Sequence, residues 1–439
     1  MTTAHVTRRS SLLRGALLPI LLGVAIASTL TSVPAHAGSR ANGQGERQWT
    51  HQMSGDLARF GSVATDPVDG TVYVYGIRRP RGSAEPEAFV RAVHRRTGRT
   101  LWTTPAPQIY ADVELLVDGA RGHIVLSGGY ESPAAVTVLD RRGDRVWQSA
   151  GAVGRTLAAV DPSSGRVCTV SQDSGSGTTW TTACWSADGQ ALFNHGYESG
   201  AGPGSGNRPL DIEIDSATGA VVVLGQHRFG DENGVGQNRM VVSTHSAQGD
   251  LLWRTSSYAG PRAEGVDLEV NPRNGRVYAF GQARRSSLFL HGLEADNGQV
   301  LFRRSWSAGG KGRPTRAQHL ASLPGSGKLV TTALHGRALQ VVTVDAAGRR
   351  VRAARTAVHD DAPLVTQDPR RGVLLAFSPG HRRLVVEGYS LRARRLWSTK
   401  LRSTTRVMAV GPAALDTRTG RYVVATEHRG RAVLHAFTA

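Results

Sequence analysis

The sequence predicts an all-β protein, an eight-bladed β-propeller of four-stranded blades closed by an N-terminal strand that completes the last blade. Three observations lead there. A D/N-x-x-x-G turn followed by a β-rich run recurs along the chain, seven times intact and once degenerate. A second signal, a glycine followed four residues later by Trp or Phe, falls between the copies. Helical periodicity is almost absent, so each unit of roughly 50 residues reads as four strands, which is the mark of a propeller blade.

The first signal opens at Asp66 (DPVDGTVYVYG), Asp118, Asp161, Asp215, Asn271, Asp368 and Asp416. Leu323 opens the degenerate copy, LPGSGKLVTTA, with Gly327 at the glycine position. The eight are spaced 43 to 56 residues apart. Asp or Asn starts a turn by bonding its own backbone, Pro presets the next φ, and Gly takes the positive-φ position. The β-branched run that follows is a strand. A seven-bladed ring would require the Leu323 copy to be spurious.

The second signal runs Gly98–Trp102, Gly143–Trp147, Gly189–Phe193, Gly249–Trp253 and Gly298–Phe302. It blurs at Gly348, where GRRVR ends in Arg352, and RARRLW reaches Trp397 without the glycine. The last unit stops after its third strand. A spare copy, Gly45–Trp49, stands before the first turn. Pairing it with the C-terminal strand closes the ring and removes an open edge.

Residues 1–37 read as a secretion signal: Arg8, Arg9 and Arg14, an apolar run from Ala16 to Ala27, and an A-H-A cleavage site at Ala35–Ala37. A short linker, 38–43, precedes a single propeller domain, 44–439. The expectation is a soluble monomer, secreted or periplasmic, exported by the Sec route; Arg8–Arg9 resembles a twin-arginine signal only loosely. In such a compartment the two cysteines, Cys168 and Cys184, are expected to pair. A hairpin centred near Ser176 sets them directly opposite one another.

The chain carries a formal charge of +19, and only three of its basic residues are lysines. Many arginines sit in turns, among them Arg95–Arg96, Arg141–Arg142 and Arg370–Arg371. Such a surface attracts anionic polymers; the plainer alternative is a solvated basic shell, since no dense basic block occurs. Sparse, dispersed aromatics argue against a stacking platform for nucleic acid.

The segment NRMVVSTHSAQGDLLWRTSSYAGPRAEGVDLEVNPRNGRVYAFG resembles the SBBP repeats of bacterial surface and secreted propellers. RAVHRRTGRTLW is similar to the tryptophan-docking repeat of pyrroloquinoline-quinone (PQQ) dehydrogenases through Ala92, Thr97, Gly98 and Trp102, with His94 where an Asp is usual. The resemblance implies a propeller; the quinoprotein likeness would imply a calcium-dependent oxidoreductase.

The strand leading into each D-x-x-x-G turn should line the central channel. Positions one, three and five before the turn acid are mostly apolar and face between blades. Positions two and four alternate to the other side. They carry Glu114, Asp211, Glu213, Asp267, Glu269 and His319 in some blades, and Ser62, Ala64, Leu157, Ala159, Leu364 and Ala414 in others. Asp211, Glu213, Asp267 and Glu269 belong to adjoining blades, and crowded carboxylates either raise one another's pKa or recruit a cation. Calcium is the ion their oxygens suit. The alternative is a hydrated polar lining. The GDENGVGQN loop (Gly230–Asn238) fails EF-hand spacing, and His359 with Asp360 and Asp361 falls in a connector. No hydrolase, zinc-protease, phosphate-loop or dinucleotide motif is present. The preferred expectation is therefore a non-catalytic binding or scaffold module for an extracellular or envelope partner, protein or anionic polymer. The alternative is a quinoprotein-like enzyme with its site in the acidic channel.

Overall fold

Eight antiparallel four-stranded sheets make up the described chain, seven of them running in sequence order from an inner to an outer strand. The structure is a computed structural model. It describes residues 45–438 apart from 53–55, 81–84, 110, 130–134, 150–153, 173–178, 199–206, 230–236, 258–262, 272, 284–286, 308–314, 324–325, 359–363, 369–370, 381–382, 403–406, 417 and 429–430. The leader and linker expected over 1–43 lie outside the described residues, as do His359, Asp360, Asp361 and most of the Gly230–Asn238 loop. Residues 42–439 form a single compact unit.

The last sheet is composite. Its inner three strands are Val407–Asp416, Arg421–His428 and Arg431–Thr438, and its outer strand is Arg47–Gln52 from the other end of the chain. Thr50 lies opposite His435 and Gln52 opposite Val433. The spare Gly-x-x-x-Trp strand thus completes blade 8, and the ring is shut by backbone hydrogen bonds between the chain ends.

Each inner turn is built as its residues dictate. Asp66 N–H donates to the Thr71 carbonyl and Gly70 N–H to the Asp66 carbonyl, both at 2.8 Å, while Asp66 Oδ1 accepts Val68 N–H at 2.7 Å. Gly70 takes φ +76°, which a side chain adopts only at a cost. The degenerate copy makes the turn without the acid: Leu323 N–H still donates to the Lys328 carbonyl at 2.7 Å. Its strands form a complete sheet, so the ring has eight blades and not seven.

The outer signal has a different function. The aromatic of each Gly-x-x-x-Trp/Phe strand lies flat on the glycine of the next blade: Trp49 on Gly98, Trp102 on Gly143, Trp147 on Gly189, Phe193 on Gly249, Trp253 on Gly298, Phe302 on Gly348 and Trp397 on Gly45. In four of the five indoles Nε1–H donates to a carbonyl of the neighbour's turn: Trp49 to Arg95 (2.8 Å), Trp102 to Arg141 (2.7 Å), Trp147 to Ala187 (2.9 Å) and Trp253 to Ala295 (2.5 Å). Burying the ring and satisfying its one polar atom at once locks adjacent blades in register. His94, in the Asp position, keeps the turn through a 3.0 Å contact of Nδ1 with Thr97 Oγ1.

The joint between blades 6 and 7 departs from this scheme on both sides. Arg352 stands in the aromatic position of blade 6, and Ala393 in the glycine position of blade 7. Ala393 has φ +54°, the only positive φ outside glycine among the described residues. Joint 6–7 keeps an apolar core of Val341, Val358, Val365, Tyr389 and Ala393, with Ala354 packed against it.

Candidate functional site in the central channel

The inner strands carry a β-bulge just before the position four residues ahead of the turn. Register shifts fall between Phe60 and Ser62, Ala111 and Glu114, Pro209 and Asp211, Gly265 and Asp267, and Ala317 and His319. A bulge bends the strand and re-aims the side chain that follows. Here it turns that side chain toward the next blade. The apolar positions stay between blades, but not in one joint: Ile212 and Ile214 pack in joint 3–4, while Leu210, at the bulge, packs in joint 4–5.

The consequence is a run of side chain to backbone clamps around the channel. Ser62 Oγ accepts Leu115 N–H at 3.1 Å. Glu114 Oε2 accepts Ala158 N–H at 2.7 Å. Asp211 Oδ2 accepts Leu268 N–H at 2.7 Å, and Asp267 Oδ2 accepts Leu320 N–H at 2.7 Å. His319 bonds the backbone of Val365. One rung further along, Glu213 Oε2 accepts Val270 N–H at 2.5 Å, and Glu269 bonds the backbone of Ser322. Leu157 interrupts the run at blade 3, where Gln172 Nε2 instead donates to the Asn207 carbonyl at 3.0 Å. Each hydroxyl or carboxylate clamp satisfies an amide N–H on the free side of an inner strand, while Gln172 pairs a carbonyl instead; such backbone groups are expensive to bury unpaired.

The structure brings all four expected acids of blades 4 and 5 together, with His319 beside them. Asp211 and Asp267 face the same amide, since Leu268 N–H lies 2.7 Å from Asp211 Oδ2 and 3.1 Å from Asp267 Oδ1. Burial, then the charges of Asp267 and Glu213, hold Asp211 well above the ordinary carboxylate range. Burial and the charge of Glu269 do the same to Glu213. Burial also raises Glu269, against the hydrogen bonds from Ser322. Burial would lower His319, but the hydrogen bond and charge of Asp267, 3.6 Å away, hold it above its usual value. Glu114 stands apart from this cluster, in joint 2–3.

Calcium takes six to eight oxygens with little competition from donors. In this cluster one oxygen each of Asp211, Glu213 and Asp267 accepts an amide of the next blade. Among the described residues no group of three or more His, Cys, Asp or Glu is placed to hold a metal ion. The arrangement joins blades.

Two further features were not read from the sequence. Several turn arginines strap blades together. Arg121 reaches the Ser163 carbonyl (2.9 Å), Arg141 reaches buried Asp66 (3.0 Å) and the Gly119 carbonyl (2.7 Å), and Arg276 reaches the Ala346 carbonyl (2.8 Å). Part of the basic charge is thus structural. The clamps had a visible signal, a hydrogen-bonding residue four before the turn in five units, but its partner is a backbone amide that no side-chain pattern reveals. Cys168 lies opposite Cys184 in blade 3 and the two form a disulfide, as their spacing implied.

No family model matches the chain, and no curated protein matches it. Solved structures do. The Dos1 propeller is similar at TM-score 0.58 and 11% identity over 89% of this chain and 95% of that one. Sqt1 from Chaetomium thermophilum is similar at TM-score 0.52 and 12% identity over 90% and 99%. Raptor from the same organism is similar at TM-score 0.50 and 10% identity, over 90% of this chain but 30% of that one. At such identities the likeness is one of fold. The class is established: an eight-bladed β-propeller distantly similar to known propellers.

Proposed function

We propose that this protein is an exported, non-catalytic propeller that binds an extracellular or envelope partner through its surface. The observation that carries the reading is the use of the channel acids. The side chains best suited to chemistry, Asp211, Glu213, Asp267 and Glu269, serve as clamps between blades 4, 5 and 6. A general base or a metal ligand needs a free oxygen facing substrate. The N-terminal signal supports secretion or periplasmic delivery.

A second reading, that of a quinoprotein-like enzyme, is supported by the likeness of RAVHRRTGRTLW to a tryptophan-docking repeat, whose Trp102 lies on Gly143 of the next blade. One experiment separates the two. A ligand that binds only the folded state raises the melting midpoint. Thermal melting with calcium, with and without PQQ, against a chelator control should show no shift. A rise with calcium and quinone together would overturn the scaffold reading.

A further inference from the structure

The charge of this protein is unevenly placed around the ring. Blades 4 and 5, Arg208 to Ser307, hold 11 basic and 11 acidic residues. Blades 6 and 7, Thr315 to Arg402, hold 16 basic and 5 acidic residues. Part of that excess reaches solvent on and beside the outer strands of these blades, Arg350–Ala357 and Arg395–Arg402. Arg350, Arg352 and Arg355 are exposed along the first. Arg392 and Arg394 are exposed in the turn before the second, and Lys400 is exposed on it.

These residues differ from the turn arginines elsewhere in the ring. Arg121, Arg141 and Arg276 are spent on carbonyls and carboxylates of the neighbouring blade. Among the described residues, no carboxylate pairs with Arg350, Arg352, Arg355, Arg392 or Arg394; the nearby acids Asp345 and Glu387 are engaged by Arg349 and Arg395. The same joint is the one that gave up its aromatic-on-glycine lock, with Arg352 in the place of the aromatic. Seven joints keep an aromatic ring on the neighbour's glycine at that position. Arg352 is exposed there and has no carboxylate partner among the described residues, so its charge is offered to solvent.

We propose that the outer rim of blades 6 and 7 is a binding surface for an acidic polysaccharide, a linear chain bearing carboxylates along its length. This rests on the binding-module reading above. Arginine's planar fork matches a carboxylate in two hydrogen bonds, which a lysine cannot do. Arg352 and Arg355 project from opposite faces of this edge strand, and with Arg350 they flank about 16 Å of it at about 3.3 Å per residue, the length of several sugar units. Nucleic acid is the less suited polyanion. No aromatic is among the large exposed apolar side chains of the described surface, so bases would find no ring to stack on.

The test uses the purified protein with sodium polygalacturonate, with an oligo-dT of matched charge and with uncharged dextran, by titration at several salt concentrations. Arg350, Arg352 and Arg355 are changed together to Ser. A control changes the exposed Arg96, Arg99 and Arg142 of blades 1 and 2, which removes the same charge. The expectation is saturable binding of polygalacturonate, weakened about tenfold or more by the rim variant and with a salt slope shallower by about three charges. The control variant should bind within about twofold of the parent, since its charge loss lies across the ring. Both variants should melt with the parent. No binding, equal loss in the two variants, or oligo-dT bound as tightly as polygalacturonate would each overturn the assignment. The calcium and quinone melts keep the two proposals apart. If they stay flat while polygalacturonate fails to bind, only this surface is wrong; if they shift, the scaffold reading itself falls.

Discussion

The docking contacts make a prediction that depends on two glycine positions being unequal. Gly298 takes φ +67°, and a β-carbon built there falls 2.6 Å from Trp253 Cδ2 and 2.7 Å from Thr255 Oγ1, with Trp253 Cε3 nearer still. Trp253 is buried, and its indole is held by the Ala295 carbonyl, so it has no open space to retreat into. Gly298→Ala therefore meets two costs. Left-handed backbone with a β-carbon costs about 1–2 kcal/mol, and overpacking costs about 1–3 kcal/mol. The sum is a loss of about 2–5 kcal/mol. Ala393→Gly is the converse change. It relieves about 1–2 kcal/mol of backbone strain. It gives up about 0.8 kcal/mol for one buried methyl and about 0.4–1 kcal/mol for the freer unfolded chain. Those terms cancel to within about 0.5 kcal/mol. Urea denaturation reads both, and the comparison holds where the m-value is unchanged. A Gly298→Ala midpoint equal to the parent would refute the lock between blades 4 and 5. An Ala393→Gly gain as large as the Gly298→Ala loss would show that joint 6–7 is strained and not relaxed around its alanine.

Two sets of buried groups should pull stability in opposite directions between about pH 4 and 6.5, and above that range the channel acids alone should lower it. Asp211, Glu213 and Glu269 have raised folded pKa values, so their contribution is present below the ordinary carboxylate range and is lost as pH climbs through the raised values. Burial lowers His245 and His291 to about 4 from 6.5. Their contribution is complete above pH 6.5 and is lost as pH falls toward 4. Asp211→Asn should gain on the parent in melts at pH 8 and not at pH 4; a variant that loses at pH 8 would mean the charged form is the one the fold wants. Breaking the disulfide by Cys168→Ala with Cys184→Ala should cost about 3 kcal/mol in urea, the value for a loop of that size. Identical curves for the parent with and without reductant would mean that the bond contributes nothing.

The blade count, the turns and the closure were legible because each rests on a local rule repeated many times. An acid, a proline and a glycine at fixed spacing need no distant partner to be understood, and the ring survives the loss of one acid at Leu323 because the backbone bonds of the turn remain. The outer glycine and aromatic were legible as a motif but not as a contact, since Trp253 finds Gly298 only once blade 5 is laid beside blade 4. The channel acids were legible in position and not in use. Alternation brought Asp211 and Asp267 to one side of the ring. It could not show the bulge that aims each at the amide of the next blade, because a bulge leaves no mark in residue type.

A repeat protein offers an internal reference that most folds lack: each blade shows what the others would do at the same position. Where most blades agree, the residue serves the ring. The position four before the turn meets that test, since five of the eight blades place a hydrogen-bonding side chain there, three of them acids, and each reaches the backbone of its neighbour. Where one blade departs and local structure bears the cost, the ring is not what the residue serves. Ala393 at φ +54° and the exposed arginine at position 352 are that departure. They fall on the one joint flanked by 16 basic and 5 acidic residues, while the neighbouring pair of blades is balanced. Structural need accounts for the channel, and the rim of blades 6 and 7 is left as the part of the surface whose composition the fold does not require.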